Sequence, residues 1–166
     1  RHVDSHIKEK KAFIEYGSNQ KFITYADLHE QSSKLRHFFS KFKINREDRV
    51  IILMQDVISY PIIFWGCLKS GVIPVLLNTL LSSEVVNEII NNSRAKAVFI
   101  SSRLLSSFEN SLKKNVSINH IIEVGTKISN YINFDEEIKK CSFQETIKCS
   151  KDEIAFWLYS SGSTGQ

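Results

Sequence analysis

The chain has 166 residues, a length that suits one domain of ordinary size. Hydrophobic residues make up 42% and charged residues 24%, which is typical of a globular domain and excludes disordered and collagen-like classes. The formal net charge is +4, but the lysines are spread along the chain and are not gathered as in a nucleic-acid-binding tail. The composition therefore predicts a globular domain that does not bind nucleic acid.

The cysteines and the most apolar stretch exclude two further classes of protein. The three cysteines, none of them in a C-x-x-C pair, are Cys67, Cys141 and Cys149. Such spacing favours neither a disulfide framework nor a zinc site, and free thiols suit the cytoplasm. Residues 57–77 are apolar but are interrupted by Lys69, Gly71 and Pro74, whereas a membrane span needs about 20 apolar residues in sequence. We therefore predict a cytoplasmic protein with no membrane span.

The first elements read as a hairpin and a helix. Residues 12–16 and 21–25 are short apolar runs on either side of a polar turn, which predicts two paired strands. Apolar residues then recur at helical spacing and predict a helix over residues 25–43. Thr24 lies directly before this helix and Asp27 in its first turn, and together they resemble a capping box.

The next segment indicates a strand, a helix and a second strand. Residues 49–54 are apolar without alternation, which is typical of a strand covered on both faces in a parallel sheet. Asp56 is a candidate cap for a helix over residues 57–70, and Gly71 is a candidate for its end. Residues 72–77 predict the following strand.

The alternation of strands and helices continues to the end of the chain. Further strands are predicted at residues 97–100, 120–124 and 154–159, the last of them buried; helices are predicted from Ser82 or Ser83 to 91, from Ser101 or Ser102 to 114, and over residues 135–140. This order predicts the α/β class, with a mostly parallel βαβ sheet and flanking helices. Ligands bind beyond the carboxyl ends of the strands in such sheets.

A loop rich in serine and glycine follows the last predicted strand. Its six residues are Ser160, Ser161, Gly162, Ser163, Thr164 and Gly165. Glycines allow a tight turn whose consecutive N–H groups form a concavity for anions, and the hydroxyls add donors. A polar connecting loop has a similar composition, but it would not usually follow a core strand so abruptly. No lysine completes a Walker A motif and no G-x-S-x-G elbow is present, so the loop predicts polyphosphate binding of another type.

At this point the chain resembles a known family. Residues 156–165, which read FWLYSSGSTG, are similar to the phosphate loop of adenylate-forming acyl-CoA synthetases, and the aromatic run particularly resembles benzoate–CoA ligases. Residues 22–28, 47–53, 68–81 and 92–98 resemble further blocks of the same family in the same order. In that family the loop continues with one residue and then Pro-Lys-Gly, and Gln166 stands at the position of that one residue.

The resemblance implies a reaction and a set of ligands. Such enzymes join a carboxylate to ATP to form an acyl-adenylate and then transfer the acyl group to coenzyme A, with Mg²⁺ accompanying the nucleotide. It also implies that the six loop residues bind the ATP phosphates, with Ser163 and Thr164 as the first candidates for hydroxyl contacts. The substrate is expected to be benzoate or another aryl acid, and a homodimer is compatible with the family.

The resemblance further implies that residues 1–166 form an incomplete N-terminal AMP-binding domain that is cut within the phosphate loop. The catalytic lysine, the adenine contacts and the acyl pocket of the family lie beyond residue 166. We therefore expect no catalytic residue and no metal ligand within these 166 residues, and no ligase activity from this polypeptide alone.

Two other functions remain open. An adenylation domain that loads a carrier protein would differ in its acyl pocket, and a non-catalytic α/β domain that binds nucleotide or a partner would lack Pro-Lys-Gly after Gln166. The remaining expectations concern single residues: a core position for Phe64, Trp65 and Trp157, packing at the strand end for Tyr159, and helix-end or strand-end hydrogen bonds for Arg94 and Asn78.

Overall fold

The computed structural model describes residues 6–17 and 20–160, and within them the chain forms eight strands and five helices. The strands are β1 (Lys11–Glu15), β2 (Lys21–Thr24), β3 (Arg49–Leu53), β4 (Ile73–Leu76), β5 (Ala97–Ser101), β6 (His120–Val124), β7 (Ile132–Asn133) and β8 (Trp157–Leu158). The helices are α1 (Tyr25–Lys41), α2 (Ser59–Ser70), α3 (Ser83–Ser93), α4 (Ser102–Lys114) and α5 (Phe134–Glu137), with a 3-10 turn over Ile138–Lys140.

Six strands form one parallel sheet in the order β7-β6-β5-β3-β4-β8, and β1 and β2 form a separate antiparallel hairpin. Apolar residues of α1, α2 and α5 pack on one face of the sheet, and those of α3 and α4 pack on the other. The predicted α/β class, with a parallel sheet and flanking helices, is confirmed.

Strand β3 carries apolar side chains on both faces of the sheet, and helices cover both faces. Val50 and Ile52 belong to the core that contains α1 and α2, whereas Ile51 and Leu53 belong to the core that contains α3 and α4. All four side chains are fully buried, and each contributes about 1.5–3 kcal/mol by leaving water. The continuous apolar run therefore correctly predicted a strand buried on both faces.

Helix boundaries confirm most of the predicted caps and correct one of them. Thr24 and Asp27 form the predicted capping box at the start of α1. Ser82 accepts from the N–H of Val85 at the start of α3. Gly71 adopts the left-handed conformation, with φ of 67°, directly after α2.

The prediction that Asp56 caps α2 is wrong. The helix begins at Ser59, and its N-cap residue Ile58 has no side chain that could cap. The carboxylate of Glu15 on β1 instead accepts a hydrogen bond from the Ile58 N–H at 2.9 Å. The hairpin therefore supplies a cap that the local sequence of the helix does not contain.

The last strand is shorter and more exposed than predicted. Residues 154–159 are not a buried strand, because only β8 within them pairs with the sheet, through β4 alone. Ile154 and Leu158 are 59% and 68% exposed, and Phe156 is 43% exposed. A strand with one neighbour among the described residues leaves such side chains partly in water, which is why the prediction of a buried strand is wrong here.

Two aromatic expectations also differ from the structure. Phe64 packs against the core as expected, but Trp65 is 44% exposed and is not a core residue. Trp157 is half-buried against the core that contains α3 and α4. Among the described residues, no helix is both long enough and apolar enough to cross a bilayer.

Candidate functional site

Strands β4 and β8 run parallel and end at the same edge of the sheet. Leu76 pairs with Leu158, and Ser160 follows two residues later with an exposed side chain. The carboxyl edge of a parallel sheet is where α/β proteins bind ligands. The predicted phosphate-binding loop therefore begins at the ligand-binding edge of this sheet.

The six predicted site residues divide into one that the structure describes and five that it does not. Ser160 lies at the carboxyl end of β8. The other five lie outside the described residues: Ser161, Gly162, Ser163, Thr164 and Gly165. Their phosphate-binding role stays a prediction, and so does that of Ser160.

The end of β4 forms a turn at the same edge. The side chain of Asn78 accepts a hydrogen bond from the N–H of Leu80 at 2.9 Å, and its carbonyl accepts from the N–H of Leu81 at 3.2 Å. Asn78 therefore makes the strand-end hydrogen bonds that were predicted for it. Arg94 lies at the end of α3 as its left-handed C-cap, with φ of 51°, and the hydrogen bonds expected for it stay a prediction.

Tyr159, the residue directly before Ser160, contacts a flanking helix. Its hydroxyl donates a hydrogen bond to the side-chain oxygen of Asn92, near the end of α3, at 2.5 Å. Partial burial raises the pKa of the Tyr159 phenol, so the hydroxyl keeps its proton at neutral pH and acts as a donor. The contact anchors the chain directly before the loop, in agreement with packing at the strand end.

Arg49 links β8 to the interior of the sheet. Its guanidinium lies 6.0 Å from the ring centroid of Trp157, a distance that suits a cation–π contact. The same group donates to the carbonyls of Ser93 at 2.8 Å and Glu47 at 2.9 Å. Arg49 therefore holds the two-residue strand β8 against the ends of β3 and α3.

An ion pair fixes the segment that leads into β8. The guanidinium of Arg46 pairs with the carboxylate of Glu153, which also accepts a hydrogen bond from the N–H of Ser150 at 2.7 Å. The Ser150 N–H, followed by Arg46, lowers the pKa of the Glu153 carboxyl, so Glu153 stays ionised at neutral pH. These contacts give the exposed approach to the loop a defined path.

A second junction joins the carboxyl ends of β3 and β5. The hydroxyl of Ser101 accepts a hydrogen bond from the N–H of Gln55 at 2.9 Å. Beyond this point the chain leaves the two strands toward opposite faces of the sheet, because α2 follows β3 on one face and α4 follows β5 on the other. The sequence predicted only that a helix starts at Ser101 or Ser102, and it did not reveal this contact because the partner lies 46 residues away.

The described residues contain no group of three or more His, Cys, Asp or Glu side chains that could hold a metal ion. His29 and Glu30, which begin like a metalloprotease motif, have other partners: Lys69 contacts His29, and Glu30 pairs with Lys34 at 2.9 Å. This part of the chain therefore offers no metal centre of its own.

The fold is a parallel α/β domain, and Ser160, the first residue of the predicted loop, lies at the carboxyl edge of its sheet. The chain belongs to the AMP-binding enzyme family, whose model matches residues 1–166. It is 30% identical over 173 aligned residues to a 4-hydroxybenzoate–CoA/benzoate–CoA ligase of Rhodopseudomonas palustris, an alignment that covers 98% of the chain and 31% of the ligase.

Two further proteins show how far the similarity extends. A long-chain-fatty-acid–CoA ligase of Haemophilus influenzae is 26% identical over 95% of the chain and 32% of its own length. The crystal structure of a benzoate CoA ligase from Burkholderia xenovorans LB400 superposes with a TM-score of 0.76 at 27% identity, over 83% of this chain and 27% of that one. The chain thus spans less than a third of each of these relatives.

Proposed function

We propose that the protein carrying this chain is an ATP-dependent acid–CoA ligase that activates benzoate or another aryl carboxylate. The observation that carries the proposal is the loop beginning at Ser160, which leaves the carboxyl end of β8 at the ligand edge of a parallel sheet. The family and the names of the relatives support the reaction class, and the benzoate–CoA ligases among them support an aryl acid.

The chemistry of the loop residues fits a polyphosphate. Residues 154–166 contain no Asp or Glu, so no carboxylate within this segment repels a phosphate anion. Ser160 is exposed at the sheet edge, and the following serine, glycine and threonine residues supply hydroxyl and backbone N–H donors. In this proposal the six residues from Ser160 to Gly165 hold the ATP phosphates, while Tyr159 and Arg49 anchor the strand before them.

ATP, when bound with Mg²⁺, would supply the adenylyl group that converts the carboxylate into an acyl-adenylate with release of pyrophosphate, and the thiol of coenzyme A would then take the acyl group with release of AMP. The role of this chain is to bind and orient the phosphates. In the same proposal residues 1–166 are the first part of a larger AMP-binding domain, work in the cytoplasm, and have no ligase activity when separated from the rest.

The test uses the protein as its gene encodes it, with ATP, Mg²⁺, coenzyme A and a panel of aryl and fatty acids. Release of pyrophosphate that depends on the acid, followed by formation of the thioester, is the expected result. An aryl acid should be preferred over fatty acids of any chain length. Pyrophosphate release without any CoA thioester would indicate an adenylation domain that loads a carrier protein, and no acid-dependent release would overturn the ligase assignment.

Substitutions in the loop test its phosphate-binding role without changing the rest of the fold. Ser163→Ala and Thr164→Ala each remove one hydroxyl expected to contact phosphate, and each should lower kcat/KM for ATP by about tenfold or more, as lost hydrogen bonds to a charged group do. Ser106→Ala, on the exposed face of α4, is the matched control and should leave kcat/KM unchanged. Wild-type kinetics in both loop variants would refute the phosphate-binding role.

A further inference from the structure

A cavity of about 440 Å³ lies between the β1–β2 hairpin and the first turns of α2, beside the carboxyl end of β3. Its walls are mainly apolar: the aromatic side chains are those of Phe13, Tyr60, Phe64 and Trp65, and the aliphatic ones are those of Ile14, Val57, Ile58 and Pro61. The rings of Phe64 and Trp65 meet edge to face at 5.6 Å between centroids. Small-molecule sites typically have volumes of roughly 300–1,000 Å³ and apolar or aromatic walls.

The charged residues that line this cavity are acidic. They are Glu15 and Asp56, and no lysine, arginine or histidine of residues 6–17 and 20–160 lines it. One oxygen of Glu15 accepts from the N–H of Ile58, whereas the exposed Asp56 carboxylate makes no hydrogen bond with the described residues. The cavity is therefore negative in a chain whose net charge is +4.

Tyr60 shows that the cavity is partly shielded from solvent and negatively charged. Burial raises the pKa of its phenol, and the negative charge of Asp56 raises it further. The phenol, the carboxylate and the aromatic rings thus share one partly desolvated space. A bound anion would be repelled there, so the cavity is not suited to the carboxylate substrate of the proposed ligase.

We propose that this cavity is a binding site for a small organic cation, an ammonium group carried on an aromatic or aliphatic body. The apolar body would replace water against Phe13, Phe64 and Trp65, and the ammonium would lie near Asp56. Ring faces attract cations, most strongly those of tryptophan, and the carboxylate adds a direct charge contact. None of the residues that line this cavity belongs to the predicted phosphate loop, and the proposal does not depend on the ligase activity.

The test compares 2-phenylethylammonium with 2-phenylethanol, which has a similar shape but no charge. Both are titrated into the protein as its gene encodes it, by calorimetry and by NMR of the Trp65 indole N–H. The amine should bind saturably, shift the Trp65 signal and bind about tenfold more tightly than the alcohol. Its affinity should fall as salt is added, since the charge contact is exposed.

Two charge-neutralising variants give the matched comparison. Asp56→Asn should weaken binding of the amine by about fivefold, while Glu88→Gln, on the exposed side of α3, should leave it unchanged. Equal far-ultraviolet circular dichroism of both variants shows that the fold is retained. The proposal is overturned by absence of saturable binding, by equal affinity for amine and alcohol, or by equal affinity of Asp56→Asn and the unchanged protein.

Discussion

The carboxylate of Glu15 caps a helix that begins more than forty residues later. It accepts a hydrogen bond from the N–H of Ile58 at 2.9 Å, at the start of α2. No side chain within α2 or at its N-cap performs this role. An acidic group at a helix N-terminus also interacts favourably with the helix dipole. Glu15 therefore ties the hairpin to the parallel domain by hydrogen bonding and by charge.

We expect Glu15→Ala to lower the free energy of unfolding by about 1 kcal/mol, the usual cost of losing a helix cap. Glu15→Gln keeps an acceptor oxygen and loses the charge, so its effect should be smaller. Urea denaturation followed by circular dichroism measures both. Glu9→Ala, an exposed glutamate in the segment before β1, is the control. Equal stability of Glu15→Ala and Glu9→Ala would show that the contact contributes nothing.

The two caps of α1 and α2 show what the sequence can and cannot predict. Thr24 and Asp27 are three residues apart, so the capping box of α1 was visible in the sequence. The cap of α2 joins residues 43 positions apart, and its existence depends on where the hairpin packs. Local chemistry predicted the nearby Asp56, but the tertiary contact supplied a different carboxylate.

The same distinction explains the strands and the candidate site. Strands β3, β5 and β6 follow from apolar runs, whereas β7 has only two residues, Ile132 and Asn133, and gives no periodic signal. The loop from Ser160 to Gly165 was visible because its chemistry is contiguous. The aromatic cavity was not visible, since Phe13 and Trp65 come together only through packing of the hairpin on α2.

Gly66 permits the close approach of α1 and α2. A Cβ atom at this position would lie 2.4 Å from Cγ and 2.6 Å from Cβ of Leu35, whose side chain is fully buried. Alanine would raise helix propensity by about 1 kcal/mol, but overpacking of a buried contact costs about 1–3 kcal/mol. Because Leu35 has no space to retreat into, we expect the steric cost to exceed the gain.

Gly66→Ala should therefore reduce the free energy of unfolding by about 1–2 kcal/mol in urea denaturation. Gly17→Ala is the matched control, since an added Cβ there meets nothing within 4 Å. The double variant Gly66→Ala/Leu35→Ala should recover part of the loss caused by the clash, which a double-mutant cycle measures. Higher stability in Gly66→Ala than in the unchanged protein would contradict the close contact.

Glu123 is a fully buried carboxylate that organises the turn after β6. One oxygen accepts from the N–H of Ile128 at 2.9 Å, and the other accepts from the hydroxyl of Ser129 at 2.7 Å. Glutamine would keep the shape but replace one acceptor with a donor. We expect Glu123→Gln to lower the free energy of unfolding by about 1–3 kcal/mol, the cost of a buried polar group left unsatisfied.

The control for Glu123 is Glu136→Gln, which removes an equal charge from a half-exposed side chain paired with Lys127 at 3.1 Å. Exposed ion pairs contribute about 1 kcal/mol or less, so the two variants should differ clearly in their urea midpoints. A loss in Glu123→Gln no greater than that in Glu136→Gln would mean that the buried carboxylate does not stabilise the turn.

Lys69, on α2, contacts α1 through its ammonium group. Its ammonium donates to the carbonyl of His29 and to the hydroxyl of Ser33, both at 2.9 Å, and lies 3.0 Å from Nδ1 of His29. Within the described residues it forms no ion pair with a carboxylate. Burial lowers the pKa of Lys69 from its ordinary 10.5 to about 8, because the charged form loses solvent.

Between pH 8 and 10.5 the unfolded chain binds more protons at Lys69 than the folded chain does, so the free energy of unfolding should rise with pH across this window. Lys69→Met abolishes this dependence. The stability of the unchanged protein relative to Lys69→Met should therefore increase from pH 8 to 10.5, by about 1–2 kcal/mol since Lys69 is only partly buried. The same urea series on Lys114→Met, an exposed lysine of α4, removes effects common to any lysine. A constant difference between pH 8 and 10.5 would show that folding does not lower the pKa of Lys69.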